Sequence, residues 1–433
     1  MQTLEQLKSG TLKGSKSVKL SCALSAFPLE ILDLADTLEI LDLTDNQLSK
    51  LPDNFYILRK LRILFISNNQ FTSLPTVLAQ CPQLSMIGFR NNHISSVAEN
   101  SLPLTTRWLI LTDNHIEKLP DSMGDLSRLQ KCMLSGNKLS TLPPSMHKCQ
   151  NLELLRIAVN ALTTLPSFLL TLPKLSWLAY SGNPFCDKHP QHTQTSLPEI
   201  RWETLNIQEI LGEGASGQIF KAIVDHKEVA IKVFKGEISS DGLPQEEMDI
   251  HISLGEHPHL VDVLARVIGH PEDKDVLMLA YIPSHFFNLG LPPTLESCSR
   301  DVYPEEFTLS LSHTIKILQS MASAALHIHA QGIMHGDFYA HNIMIDHEAN
   351  SILGDFGGAS YYATQAKPVQ VALERLEVRA FACLIEELLQ LCQDKDTYPH
   401  KRDQLIALKE ACLQKQNDLR PLFHSIYQTL KEI

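Results

Sequence analysis

The chain has 433 residues and a formal net charge of −12, with 44% hydrophobic and 20% charged residues. That length suits two to four domains, and that composition is typical of folded globular proteins rather than of disordered or collagen-like chains. The second half is acidic, with 19 Lys and Arg against 33 Asp and Glu, whereas residues 1–200 hold 18 against 16. An acidic half repels a phosphate backbone, which argues against nucleic acid as a partner.

Cysteine usage and hydropathy indicate the cellular compartment of the protein. Nine cysteines occur singly, with no C-x-x-C pair, which favours a reducing environment over a disulfide framework. No run approaches the ~18 apolar residues needed to span a bilayer, and lysines interrupt the first thirty residues where a signal peptide has its apolar core. We therefore expect a cytoplasmic protein without a membrane partner.

A repeated motif, L-x-x-L-x-L-x-x-N-x-L-x-x-L-P, fills the first half of the chain. Its asparagines are 22 or 23 residues apart and stand at Asn46, Asn69, Asn92, Asn114, Asn137, Asn160 and Asn183. This is the leucine-rich-repeat pattern, in which each unit holds one short strand and a return segment and buries its leucines only by stacking. The pattern predicts an α/β solenoid over residues 1–184, with the asparagines bonded to backbone groups of each bend.

Side chains alternate along a strand, so the residues between the inward leucines face the concave side of such a solenoid. One column is apolar at six of seven positions: Ile40, Ile63, Met86, Trp108, Lys131, Leu154 and Trp177. Exposed apolar stripes of that length tend to be binding surfaces. We expect a protein partner or substrate to bind on this face. The alternative is that the second half of the same chain covers it.

Proline-containing, polar sequence without helical or strand periodicity follows the repeats. It predicts a linker over residues 185–204.

A glycine-rich loop opens the second half. Gly212, Gly214 and Gly217 form a G-x-G-x-x-G pattern between two strand-like stretches, which favours a hairpin over ATP phosphates rather than a dinucleotide fold. Val229-Ala230-Ile231-Lys232 follows and places an ammonium group on the next strand. Glu247 begins a helical pattern with Ile250 and Leu254 on its inner face and is the expected partner of Lys232.

A third and a fourth motif come further along the chain. Residues 335–342 read H-G-D-F-Y-A-H-N, and Asp355-Phe356-Gly357 begins thirteen residues after Asn342. An Asp with an Asn five residues later, followed by D-F-G, is the arrangement of a catalytic base and two metal ligands in kinases.

These four ordered motifs resemble the eukaryotic-type protein kinase domain, here residues 205–433. The whole chain resembles a leucine-rich-repeat protein kinase of a bacterial type, with a solenoid followed by a two-lobed α+β domain. The resemblance implies Asp337 as the base, Lys232 oriented by Glu247, and Mg²⁺ held by Asn342 and Asp355. It implies an ATP site formed by Gly212, Gly214, Gly217, Ile219, Ala230, Lys232, Ala280, Ile282 and Met344, with Leu279 as gatekeeper. Glu374 would end the activation segment and pair with Arg420.

Several positions depart from the kinase pattern. Gly336 replaces the arginine before the catalytic Asp, and Tyr339 and His341 replace the lysine and arginine that mark the two acceptor classes. Glu377 stands where an Asp anchors the catalytic loop, and the segment from Gly357 to Ala372 is short. Activity should therefore not depend on phosphorylation of that segment, because its charge partner is absent.

The sequence thus predicts an ATP- and Mg²⁺-dependent protein kinase, with serine/threonine as the default acceptor class and repeats that bind a partner or substrate. Two alternatives remain open. A small-molecule kinase is favoured by Gly336 and the short segment, and a pseudokinase scaffold would act through the repeats alone.

Overall fold

The computed structural model describes residues 2–186, 197–214, 216–236, 241–393 and 398–433. Its contacts divide the chain into two units, Met1–Leu172 with Asn183–Phe185 and Pro173–Gly182 with Cys186–Ile433. These limits differ from those expected from the sequence, because residues 173–182 of the last repeat cluster with the second half. Most of the predicted linker, residues 187–196, lies outside the described residues.

The first unit is a stack of repeats. It begins with helix α1 (Leu4–Lys8). Its strands are β1 (Ser17–Lys19), β2 (Ile40–Asp42), β3 (Ile63–Phe65), β4 (Met86–Gly88), β5 (Trp108–Ile110), β6 (Lys131–Met133) and β7 (Leu154–Arg156). Each pairs in parallel with the next, one residue against one residue. Short 3₁₀ segments return the chain at Leu29–Leu34, Phe55–Ile57, Thr76–Gln80, Asp121–Asp125, Pro144–Lys148 and Ser167–Thr171.

A ladder of asparagines closes the bends, as the sequence predicted. Asn114 is a representative member: its Oδ1 accepts from the Ile94 amide at 2.9 Å, and its Nδ2 donates to the carbonyls of Phe89 at 2.9 Å and Leu111 at 3.1 Å. The side chain is 3% exposed. Buried backbone groups need such partners, so the asparagines replace ladder bonds that the bends cannot make.

The second unit contains a six-stranded sheet and a helical part. Its strands are β8 (Trp177–Ala179), β9 (Glu199–Arg201), β10 (Asn206–Glu213), β11 (Gly217–Val224), β12 (Lys227–Phe234), β13 (Val263–Ile268), β14 (Val276–Ala280), β15 (Phe287–Asn288), β16 (Ile333–Met334), β17 (Ile343–Ile345), β18 (Ser351–Leu353) and β19 (Ser360–Tyr361). Its helices are α2 (Pro244–Leu254), α3 (Leu311–Ala330), α4 (Lys367–Leu391), α5 (Pro399–Cys412) and α6 (Phe423–Glu432).

The six-stranded sheet has the order β10-β11-β12-β14-β13-β9. Strand β9 lies inside the predicted linker, so the interpretation of residues 199–204 as linker is wrong. Ile200, Trp202 and Leu205 pack on the apolar face formed by Val229, Ile231 and their neighbours, and this burial holds the strand at the sheet edge.

Smaller sheets, β15-β17-β18 and β16-β19, lie in the helical part and carry the loops after β16 and β18. The solenoid and the α+β domain with a sheet lobe and a helical lobe confirm the predicted fold class. Within the described ranges, no helix is both long enough and apolar enough to cross a bilayer.

The ladder makes a prediction about local stability. Replacing Asn114 by Ala leaves the buried Ile94 amide without an acceptor, which should cost about 2 kcal/mol. Hydrogen exchange should show faster exchange of the Ile94 amide and of its neighbours in the adjacent repeats. The matched control is Asn54→Ala, because Asn54 is exposed and makes no cap bond. Equal protection in both variants would contradict the ladder's role.

Candidate active site

The glycine-rich loop joins β10 to β11. The Gly214 amide donates to the Gly217 carbonyl at 2.9 Å, which narrows the loop. A Cβ on Gly217 would lie 2.5 Å from the Val233 carbonyl oxygen, so only glycine fits there. A Cβ on Gly212 or Gly214 would meet nothing within 4 Å. Ala215, which follows Gly214, lies outside the described residues.

Lys232 and Glu247 form the buried ion pair that the sequence predicted. Lys232 lies on β12 and Glu247 in the first turn of α2, and their side chains are 11% and 3% exposed. Burial by itself lowers the pKa of Lys232, but the negative charges of Glu247 and Asp355 outweigh it, and the pKa is raised. The lysine is therefore a fixed cation at neutral pH.

A row of aromatic rings connects α2 to the loops that follow β16 and β18. Phe356 lies between His251 of α2 and His335, with ring centroids 4.7 Å and 5.2 Å apart. The His335 Nε2 contacts the Gly354 carbonyl at 3.1 Å. Since His251 is one turn after Glu247, the row fixes α2 in the position where Glu247 reaches Lys232. Sequence reasoning missed His251, although its i+4 spacing from Glu247 was a usable signal.

The structure brings Asp337 and Asn342 together. Asn342 Nδ2 donates to both the backbone oxygen and the Oδ2 of Asp337, at 2.9 Å each. Asp355 has a φ of 54°, and its Oδ1 accepts from the Gly357 amide at 3.2 Å. Asn342 thus orients the Asp337 carboxylate and keeps its own amide oxygen for another ligand.

Asp355 and Asn342 supply the hard oxygen donors that Mg²⁺ prefers, and Mg²⁺ usually binds one or two such groups together with phosphates and water. Among the described residues, no group of three or more His, Cys, Asp or Glu is arranged to hold a metal ion. The donor set fits a cation shared with a nucleotide.

Glu377 of α4 anchors the catalytic loop, residues 335–342. Its Oε1 accepts from the Gly336 amide at 2.6 Å and its Oε2 from the His335 amide at 3.1 Å. His329 Nε2 lies 2.9 Å from Oε2. Burial raises the pKa of this carboxyl, but the hydrogen bond and charge of His329 outweigh burial, so the pKa is lowered. Glutamate therefore performs here the anchoring role that an aspartate performs in the kinase pattern.

His341 is held beside the site by Asp301, a residue that no motif indicated. Asp301 accepts from the His341 amide at 3.0 Å and contacts the ring Nδ1 at 2.7 Å. Burial lowers the pKa of His341, but the hydrogen bond and charge of Asp301, with the charges of Asp337 and Asp355, raise it above its ordinary value. Forty residues separate the pair, so sequence spacing could not predict it.

The residues expected around adenine lie on both lobes of the second unit. Ile219 packs on a cluster that includes Ala230 and Leu279, and Ala230 pairs with Leu279 across β12 and β14. The Ala280 amide donates to the Asp262 carbonyl at 2.9 Å, so Ala280 offers adenine its carbonyl oxygen only. Met344 lies on β17 of the helical lobe, and Ile282 follows β14.

The activation segment is shorter than the sequence suggested. Helix α4 begins at Lys367, so Glu374 lies inside it and does not end the segment. The predicted ion pair between Glu374 and Arg420 is wrong. Glu374 Oε1 accepts from the Phe423 amide at 2.9 Å, whereas the Arg420 guanidinium donates to three backbone carbonyls, those of Gln414, Arg375 and Pro173.

Glu377→Gln tests the anchor. Glutamine has an NH2 group in place of one carboxylate oxygen, so one of the two N–H groups loses its acceptor, and we expect a loss of about 2 kcal/mol in stability at neutral pH, typical of a charged hydrogen bond. Because the folded pKa of Glu377 is lowered, its contribution is present above the unfolded pKa and is lost as pH falls through the folded pKa. Thermal unfolding of wild type and variant should therefore converge toward acid pH.

The control for that comparison is Glu410→Gln, since Glu410 is an exposed glutamate on α5. A stability difference that stays constant from pH 7 to acid pH would contradict the anchoring role of the carboxylate.

Comparison with known families agrees with this geometry. Residues 205–377 match the model of the protein kinase domain, and residues 36–94 match that of the leucine rich repeat. A solved leucine-rich-repeat protein of Leptospira interrogans is 29% identical, covers 41% of this chain and 45% of its own, and has a TM-score of 0.39.

Curated relatives resemble the kinase half. The L-type lectin-domain containing receptor kinase V.7 of Arabidopsis thaliana is 30% identical over 162 residues, 36% of this chain and 23% of the relative. A probable serine/threonine-protein kinase of Dictyostelium discoideum is 30% identical over 167 residues, 38% of this chain and 9% of the relative. The chain thus spans less than a quarter of the length of either. A bacterial type, suggested by the catalytic loop, finds no support in these two matches. The chain therefore contains a leucine-rich-repeat region and a protein kinase domain.

Proposed function

We propose that this chain is an ATP- and Mg²⁺-dependent protein kinase, with serine or threonine as the expected acceptor. The proposal rests mainly on one observation, the buried pair of Lys232 and Glu247 beside Asp355. A pseudokinase that acts only as a scaffold has no need to keep a lysine charged in a buried site, where burial disfavours the charge.

The residues of the site fit phosphoryl transfer. The acceptor oxygen would attack the terminal phosphorus of ATP, its proton would pass to Asp337, and ADP would leave. Asn342 orients the Asp337 carboxylate for that proton, and Lys232 would hold phosphate oxygens in line. Bound Mg²⁺ would neutralise charge on the phosphates. Positioning and fixed charge supply most of the rate in this reaction class.

His341 is a further titratable side chain at this site. Kinases place a lysine or an arginine near the acceptor in this loop, and this chain has Tyr339 and His341 at those positions. With its pKa raised by Asp301, His341 can carry the positive charge that the missing residues would supply. Serine/threonine specificity is proposed from the likeness to the probable serine/threonine-protein kinase of Dictyostelium discoideum, and not from the sequence of the loop.

A small-molecule acceptor is the second candidate. The observation that favours it is the start of α4 at Lys367, because only nine residues, 358–366, separate it from Gly357. So short a segment leaves little chain to form a docking surface for a peptide acceptor.

The repeats are proposed to bind a protein partner or substrate on their concave apolar face, in a cytoplasmic protein. Trp108 on β5 is the expected anchor, because aromatic residues at interface centres often contribute ~2 kcal/mol or more. Ile63, Met86, Leu154 and Trp177, from the same column, are buried and are not available for that role, so the expected apolar stripe is exposed only in part.

Asp337→Asn is the direct test of the proposed chemistry. Loss of the base should slow transfer from labelled ATP by ~10²- to 10⁴-fold. Binding of ATP should be nearly unchanged, whereas Lys232→Met should weaken both binding and transfer. The assay should compare casein-like proteins with small alcohols as acceptors, and Asp403→Asn on the exposed face of α5 serves as the control. Wild-type turnover by Asp337→Asn would show that the base is assigned wrongly.

A further inference from the structure

The last repeat strand contacts the catalytic loop directly, and both belong to the second unit. The Trp177 ring of β8 stacks on the Tyr339 ring, with centroids 4.3 Å apart and planes 7° apart. Trp177 Nε1 also donates to the Phe338 carbonyl at 3.2 Å. Phe338 and Tyr339 are the two residues after Asp337, so this tryptophan holds the backbone next to the proposed base.

The same strand explains why glycine precedes Asp337. Gly336 has a φ of 72°, and a Cβ there would lie 2.3 Å from the Gly358 carbonyl oxygen and 2.7 Å from the Leu178 carbonyl oxygen. The backbone of β8 thus runs through the space that a side chain at position 336 would need. The absence of an arginine at position 336 is therefore linked to the position of the strand, because the side chain would collide with it.

The strand also binds the activation segment. The Tyr180 amide donates to Ser360 Oγ at 3.2 Å, and the Tyr180 hydroxyl donates to the Tyr361 carbonyl at 3.4 Å. In turn, the Tyr361 hydroxyl donates to Ser253 Oγ of α2 at 2.7 Å. A chain of contacts therefore runs from the repeat strand through the activation segment to the helix that carries Glu247.

We propose that residues 177–180, the bracing segment, position the catalytic loop and the activation segment in place of activation-loop phosphorylation. The arrangement supplies what a phosphate with its arginine would supply, namely a fixed link between the loop that carries Asp337 and the segment after Phe356. Trp177 is a positioning residue in this account, since it acts on Asp337 only through Phe338 and Tyr339. The inference rests on the proposed kinase function.

Its test uses the full chain and separates positioning from folding. In Trp177→Leu, kcat should fall at least tenfold, while the KM for ATP and the dissociation constant of MgATP stay within twofold of wild type. Trp177→Phe keeps a ring but loses the Nε1 donor, and its kcat should fall severalfold. The double variant of Trp177→Leu and Tyr339→Leu should lose less than the sum of the two single losses, because both substitutions remove the same stack.

Asn114→Ala is the matched control, since it weakens the repeats without changing the bracing segment and should keep wild-type kcat. Wild-type kcat in Trp177→Leu, or a loss matched by equal loss of MgATP affinity, would overturn the inference. Should Trp177→Leu fail to fold, wild-type kcat in Trp177→Phe would overturn it as well.

Hydrogen exchange gives a readout that does not depend on turnover. The amides of residues 337–339 and 357–360 should exchange at least tenfold faster in Trp177→Leu than in wild type, and unchanged exchange would refute bracing. An inactive wild-type protein with the expected exchange pattern would instead refute the proposed function and leave the bracing role supported.

Discussion

The catalytic loop depends on one buried carboxylate. Glu377 accepts hydrogen bonds from two successive backbone amides, those of His335 and Gly336, and its Oε2 lies 2.9 Å from His329 Nε2. Each oxygen of the carboxylate accepts from one of these two amides, so this side chain fixes the path of the loop. Asp337 comes directly after Gly336 in the chain. The path of the loop therefore sets the distance between Asp337 and Asn342, and it places His335 in the row with Phe356 and His251.

Local motifs made most of the fold and half of the site predictable. The asparagine spacing predicted the stacked repeats because each side chain bonds groups within its own or the neighbouring repeat. Lys232 and Glu247 were predictable because strand and helix periodicity place them on facing surfaces. Such residues depend on a short stretch of sequence and on one neighbouring element.

The remaining parts of the site depend on contacts between distant segments. Asp301 reaches His341 across forty residues, and Trp177 reaches Tyr339 across 162. The predicted pair of Glu374 and Arg420 was wrong for the same reason: the start of α4 at Lys367 moves Glu374 away from the end of the activation segment, and three carbonyls bind Arg420 instead. The linker interpretation was wrong at residues 199–204 because Ile200 and Trp202 pack against the sheet.

Together these contacts describe a site in which the Lys232–Glu247 pair is formed and the Phe356 ring packs on His251 of α2. The most direct test is the time course of product formation by fully dephosphorylated wild-type protein after rapid mixing with MgATP and acceptor. The account predicts product at a constant rate from the first turnover. A lag that shortens as enzyme concentration rises would show that the protein must first phosphorylate itself, and would contradict the account.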